Sequence, residues 1–287
     1  MREQHAIERG LARTMRGRIR HDDELGVRYG GDGDGLVTLT LDDAPFLRED
    51  RAGGAISQGP LATILDSVCG VAAMARLEFL EAVATVDLRL DYLRAPQPRR
   101  GIVAAAQVAE VLGEEGRGSV VVRAEVRHAD DPVGAPLAAA VGRFIRRPLR
   151  DARQPVAEVP PGPLAVGDSY GALMGFRWDD DGSVVLPFRP GLVGNGSLPS
   201  LHGGAIAAHL QEAACMALAR AASAPFTLAT AHITYLRFGA SEDVHARPEV
   251  VRAGVNTASV HVAAHQRDAG RPIAAGTFTF LSTQAPA

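Results

Sequence analysis

The chain has 287 residues, 46% hydrophobic and 22% charged, which is room and material for two compact globular domains or one large one. Its net charge of -3 excludes a general electrostatic attraction to nucleic acid or to an anionic membrane. No segment approaches the run of about 20 apolar residues that a membrane-spanning helix needs.

The first twenty residues carry six arginines, but Glu3 and Glu8 interrupt them and no apolar core or small-residue cleavage site follows. Ile7, Leu11, Met15 and Ile19 recur every four residues, which predicts an amphipathic helix lying on the body rather than a targeting peptide. An Asp/Gly-rich turn, Asp32-Gly33-Asp34-Gly35, then leads into a strand ending near Leu41. Ser57-Gln58-Gly59 opens an apolar helix that contains Asp66 and Cys69. Strands follow at Thr85 to Arg94, around Val120 to Val126, and at Ala140 to Phe144. Pro148, Pro155, Pro160, Pro161 and Pro163 mark an extended linker.

Beyond the linker the order repeats. Asp179-Asp180-Asp181-Gly182 leads into a strand ending at Phe188, and His202-Gly203-Gly204 opens an Ala-rich helix containing Gln211 and Cys215. The strand from Leu228 to Arg237 matches Thr85 to Arg94, and Ala274 to Phe278 matches Ala140 to Phe144. The offset is 145 at the Asp66/Gln211 pair and 143 at the Tyr92/Tyr235 pair, a near-constant spacing that marks a duplication. The expected domains are therefore 1–148 with the leading helix, a linker at 149–165, and 166–287. Each is an α+β layer in which meandering antiparallel strands enclose one helix.

Several chemistries find no support. The nine histidines lack zinc-site spacing, and neither Asp-rich turn completes a calcium loop. There is no Gly-x-Ser-x-Gly elbow, dinucleotide fingerprint or P-loop. The two cysteines sit in separate apolar helices and read as buried thiols of a reducing, cytoplasmic compartment.

With Asn195, His202-Gly203-Gly204 at a helix entrance and Thr234-Tyr235-Leu236-Arg237 on the next strand, the second copy resembles the hotdog-fold thioesterases, in particular the PaaI-like acyl-CoA thioesterases. The first copy resembles them in outline and keeps the helix acid. The resemblance implies a tandem double hotdog: two antiparallel sheets joined as a pseudo-dimer, helices side by side, active sites at the junction. It implies acyl-CoA thioester hydrolysis without a metal or separate cofactor, CoA being part of the substrate. Pairing of tandem units into a homodimer is a further expectation.

In such an arrangement each site takes a loop and helix entrance from one half and an acid with a hydroxyl from the other. One site would join Asn195, His202 and Gly203 to Asp66 and Thr85. The other would join Asp50, Ser57 and Gln58 to Gln211 and Leu228, and would lack its acid, its hydroxyl and its His-Gly pair. Gly203 N–H is the expected oxyanion donor, because amides at a helix N-terminus are unpaired and sit at the positive end of the helix dipole. Asp66, ionised from a reference pKa of about 3.9, is expected to act as general base or as nucleophile. Thr85 would orient the water, and Asn195 and His202 would position the loop or the substrate. Two other readings stay open: a hotdog dehydratase or hydratase pairing His202 with Asp66, and a non-catalytic acyl-CoA binding protein. Among arginines for CoA phosphates, Arg94, Arg99, Arg100, Arg146, Arg147 and Arg237 lie near strand ends.

Overall fold

The computed structural model describes residues 15, 19–31, 35–49, 54–148, 167–195 and 200–283. Ile7, Leu11, Asp32, Asp34, Asp50 and the Pro-rich linker lie outside these residues, as does the side chain of Asn195.

The first half runs α1 (Arg20–Leu25), β1 (Arg28–Gly31), β2 (Val37–Leu41), α2 (Gln58–Arg76), β3 (Glu81–Tyr92), β4 (Ile102–Leu112), β5 (Ser119–His128) and β6 (Ala138–Pro148). The second repeats it: α3 (Tyr170–Met174), β7 (Arg177–Trp178), β8 (Val184–Leu186), β9 (Val193–Asn195), β10 (Ser200–Leu201), α4 (Gly203–Ala221), β11 (Phe226–Tyr235), β12 (Val244–Ala253), β13 (Thr257–His265) and β14 (Ala274–Ser282). Twelve of these strands form one antiparallel sheet in the order β1-β2-β4-β5-β6-β3-β11-β14-β13-β12-β8-β7. The α+β tandem double hotdog expected from the sequence is the observed architecture.

Strand alternation places the helices. On β5, Val120, Val122, Ala124 and Val126 are buried towards α2 while Arg123 is exposed. Nearly every side chain of α2 from Gly59 to Ala73 is buried, and in α4 Ala205, Ala207, Ala208, Ala213 and Ala214 are, because a curved sheet and a neighbouring helix cover both. Small residues allow the close approach: a methyl group on Gly204 would fall 2.6 Å from Cα of Thr63.

The halves meet where β3 pairs with β11. Leu88 lies opposite Ile233, Arg89 opposite His232, and Leu90 opposite Ala231. Adding the 143-residue offset to each member of this set returns the same set, so a pseudo-twofold axis passes through the Arg89/His232 pair, as in an isologous dimer. Each of the two strands also carries a bulge at the matching place, between Thr85 and Asp87 and between Leu228 and Thr230.

The turn Asp179–Gly182 closes the β7–β8 hairpin: Gly182 N–H donates to the Asp179 carbonyl, and Gly182 takes a left-handed φ of 80°. Cys69 and Cys215 are both free thiols, the first buried and the second partly so. Met15 is helical and fully buried, and Ile19 is buried too. The short helices before each copy are less expected. α1 packs on β9 and the Pro190–Leu192 turn of the second half, and α3 packs on the Pro45–Leu47 turn of the first. Each half thus hands a helix to the other's helix entrance.

Candidate active site

His202 is the N-cap of α4, and its Nδ1 accepts the Ala205 N–H at 3.3 Å. The Ile206 N–H bonds the His202 carbonyl at 3.1 Å. The Gly204 N–H donates to the Asp66 carboxylate across the junction. Gly203 N–H, at the first helical position, has no intrahelical acceptor. Its carbonyl accepts from Tyr235 Oη at 2.8 Å, which ties the helix entrance to β11.

Asp66 faces this entrance from α2. Its Oδ1 accepts from Thr85 Oγ1 at 2.9 Å, and Thr85 stands immediately before the β3 bulge. Its Oδ2 lies 3.9 Å from His202 Nε2. A methyl group on Gly203 would sit 2.8 Å from Oδ2 and 3.2 Å from Thr85 Oγ1, so the acid, the hydroxyl and the glycine converge on one point. The structure therefore brings together Asp66, Thr85, His202 and Gly203. The backbone of Asn195 pairs with Ser200 on the adjoining ribbon.

Burial sets the electrostatics. Asp66 is 5% exposed, and desolvation raises its pKa to about 6 against the opposing bonds from Thr85 and Gly204. The ordinary value near 4 expected from the sequence is corrected for that reason, though the group stays mainly ionised above neutrality. Burial, reinforced by His21, holds His202 well below the usual imidazole range and thus neutral. The His21 ring lies 5.4 Å away, centroid to centroid.

A cavity of about 420 Å³ opens beside these groups, of the size small-molecule sites have. Met15, Ile19, Met74, Phe79, Phe144 and Ile206 make its apolar wall, so both halves and the leading segment contribute. Of the six arginines considered for phosphate, only Arg147 and Arg237 line it, both exposed; Arg147 stacks over Phe238 at 4.5 Å. Arg100 pairs with Asp130, Arg146 with buried Glu81, and Arg94 with the Pro136 carbonyl.

The related position in the other half is differently filled. Gln211 accepts from Tyr92 Oη, Gln58 Nε2 donates to the Leu228 carbonyl at 3.3 Å, and Ser57 is buried. Tyr170 of α3 presses on this entrance: a methyl group on Gly59 would fall 2.3 Å from its ring. Glu212, the neighbouring acid, is partly exposed while Gln211 takes the buried position.

The sequence patterns of both halves match known family models: residues 195–281 match the acyl-CoA thioesterase N-terminal domain, and residues 53–135 match the thioesterase superfamily. Together these matches span more than half of the chain. The chain belongs to the thioesterase superfamily. It is a tandem thioester hydrolase of the hotdog type, built from two such domains. Its structure is similar to that of an acyl-ACP thioesterase from Bacteroides thetaiotaomicron, with 13% identity, TM-score 0.56, and 86% of this chain and 98% of that one covered. It is also similar to a Novosphingobium aromaticivorans protein assigned as a thioesterase, with 16% identity, TM-score 0.60, and coverage of 88% and 98%. A third, the tesB protein of Mycobacterium avium, has 13% identity, TM-score 0.52, and coverage of 86% and 93%. At these identities the likeness is one of fold. A search of curated protein sequences finds no significant match.

Linear spacing missed Asp22, Ser67 and Tyr170. Asp22 is wholly buried beside His202, yet it stands in the polar stretch Arg20-His21-Asp22-Asp23-Glu24, which reads as surface. Ser67 follows the recognised acid, but nothing in its spacing singles it out.

Proposed function

We propose that the thioesterase hydrolyses acyl-CoA thioesters at one composite site, with Asp66 and Thr85 from the first half acting on a carbonyl held at Gly203 of the second. The observation that carries this reading is the convergence of the Asp66 carboxylate and the Thr85 hydroxyl on the space beside Gly203 across the junction. The thioester oxygen would accept the Gly203 N–H, a donor of a kind worth ~3 kcal/mol in the transition state. Asp66 either takes a proton from the attacking water, which Thr85 helps to place, or attacks the carbonyl carbon itself to give an anhydride that water then opens; in both the C–S bond breaks and CoA leaves as a thiolate that takes up a proton released by the water. His202 positions the loop: both its nitrogens face other partners, Ala205 N–H and Ser67 Oγ. That engagement, with 3.9 Å to Asp66, argues against the dehydratase pairing of His202 and Asp66. The PaaI-like assignment, a cytoplasmic setting and a homodimer of tandem units belong to the same reading.

Thiol release from a panel of acyl-CoAs, run beside hydration of an enoyl-CoA, tests it. Release of CoA from at least one acyl class, without enoyl hydration, is the expected result. Hydration without thiol release would replace hydrolase by lyase, and neither activity would leave a binding protein.

Arg147 and Arg237 are proposed to meet CoA phosphates on the open side of the cavity. The double substitution Arg147→Ala/Arg237→Ala should raise KM for an acyl-CoA ~5–10-fold with kcat little changed, the pattern of lost ground-state binding. The matching N-acetylcysteamine thioester, which has no phosphate, should be hydrolysed equally by both proteins. Equal losses on both substrates would place the two arginines elsewhere in the reaction.

A further inference from the structure

A second buried acid, Asp22, lies beside the site. Asp22 on α1 lies outside both matched domains and is wholly buried. Its Oδ2 accepts from Tyr29 Oη at 2.9 Å, and its Oδ1 accepts from Ser67 Oγ at 2.7 Å. Ser67 Oγ in turn lies 3.1 Å from His202 Nε2. Sealing a carboxylate away from water is costly before its bonds are counted.

The direction of each bond follows from what each group can do. A backbone N–H only donates, so His202 Nδ1, which accepts from Ala205, carries no proton. The neutral ring therefore carries it on Nε2. That N–H donates to Ser67 Oγ, and the Ser67 hydroxyl donates to Asp22. The bonds run His202 to Ser67 to Asp22 and end on a group that only accepts when ionised.

The lapsed half supports a shared purpose. Aligned on Gly26 and Gly175, the left-handed glycines that close α1 and α3, Asp22 corresponds to Gly171. At the 145-residue offset Ser67 corresponds to Glu212 and His202 to Ser57. Acid, serine and histidine occur together at one helix entrance, and all three are missing from the other.

We propose that Asp22 and Ser67 are positioning residues of the thioesterase site: ionised Asp22, acting through the Ser67 hydroxyl, holds His202 in its Nε2–H tautomer, so that Nδ1 caps α4 and keeps Gly203 in place against Asp66. This rests on the Asp66–Gly203 reading for its catalytic meaning. It also carries a pH dependence. Protonated Asp22 becomes a donor, Ser67 then turns its own hydroxyl hydrogen to Nε2, and the proton moves to Nδ1, where it collides with the Ala205 N–H. The groups facing Asp22 are His21 and Asp23 on α1, Tyr29 on β1, Asp66 and Ser67 on α2, and His202 at the start of α4. Burial above all, with Asp23 and Asp66 adding to it, lifts Asp22 to about 7 against the bonds from Ser67 and Tyr29.

The test is ¹H–¹⁵N NMR of the His202 imidazole alongside kinetics. In the parent protein the Nε2–H pattern should hold at pH 8 and give way on acidification through about pH 7. Ser67→Ala should show mixed tautomers at pH 8 and lower kcat ~10-fold with KM within twofold, and Ser67→Thr should restore both. Asp22→Asn keeps an acceptor that never becomes an acid, so its tautomer should not change between pH 5.5 and 8. A parent tautomer indifferent to pH, or Ser67→Ala with an unchanged Nε2–H pattern, overturns the relay whatever the activity. Because the spectra are read without turnover, a parent lacking thioesterase activity would sink the functional reading and leave the relay to be judged separately.

Discussion

Asp66→Asn should lower kcat/KM by about 10³-fold, while Gln211→Ala leaves most of it. The first figure is the loss expected when a positioned general base is removed. Asn keeps the volume and one acceptor for Thr85, so the loss measures the missing negative charge and not a collapsed cavity. Gln211 occupies the equivalent place on α4, where its Oε1 accepts from Tyr92 and an amide stands at the position of the Asp66 carboxylate. Two substitutions of equal effect, large or small, would dissolve the division into one working and one lapsed site. Single-turnover hydrolysis in H₂¹⁸O probes the two roles left for Asp66. Label in the protein carboxylate after one turnover marks a nucleophile whose anhydride water opens at the aspartyl carbonyl.

The same residue links activity to stability, with a sign that is unusual for an aspartate. Asp66 and Asp22 have folded-state pKa values raised to about 6 and about 7 from 3.8. Between the unfolded and folded values the native protein binds more protons than the unfolded chain, so stability falls as pH rises through that window. Below pH 4 the penalty is absent, and above pH 7 it is fully present. Asp66→Asn should therefore gain on the order of 2 kcal/mol at pH 8 and nothing at pH 4. Thermal melts at the two pH values check this, with several degrees expected at pH 8. The acid limb of kcat/KM should fall in the pH 6 to 7 range that the two carboxylates share. His202→Gln should keep the part of that limb that Asp66 sets near pH 6 and lose the part near pH 7 that Asp22 exerts through His202.

The duplication made much of this legible. Matching segments at offsets of 145 and 143 mark two copies of one module. The resemblance carried by His202-Gly203-Gly204 and the strand after it implies that these copies are hotdog halves, and that a site between them takes its helix entrance and its acid from different copies. The parts that were not legible depend on where chain crosses chain. Asp22 stands in the polar stretch Arg20–Glu24, and it is buried because α1 crosses to β9 and the Pro190–Leu192 turn while Tyr29 and Ser67 bond its carboxylate. Tyr170 packs against the Gly59 helix entrance because α3 makes the reciprocal crossing. The raised pKa of Asp66 arises likewise from what covers it, and the bulge beside Thr85 from a register that no local pattern encodes.

The two adjacent glycines of the helix entrance should respond in opposite ways to the same substitution. Gly203→Ala places its methyl 2.8 Å from Asp66 Oδ2 and 3.2 Å from Thr85 Oγ1, so it intrudes on the reacting groups alone. Neither glycine appears among those with a positive φ, so alanine is conformationally permitted and loses less chain entropy on folding. Gly203→Ala is thus expected to keep its melting temperature and lose ~10²-fold in kcat/KM, the cost of moving a reacting group by about 1 Å. Gly204→Ala places its methyl 2.6 Å from Cα and 2.9 Å from the carbonyl oxygen of Thr63. Backbone cannot swing aside as a side chain can, so α2 and α4 must separate, at a cost of about 1–3 kcal/mol for overpacking. A lower melting temperature should mark Gly204→Ala, and intact melting with crippled turnover should mark Gly203→Ala. A Gly203→Ala protein as active as the parent would show that the thioester carbonyl does not sit between Gly203 and Asp66, and would move the reaction away from the junction of the two halves.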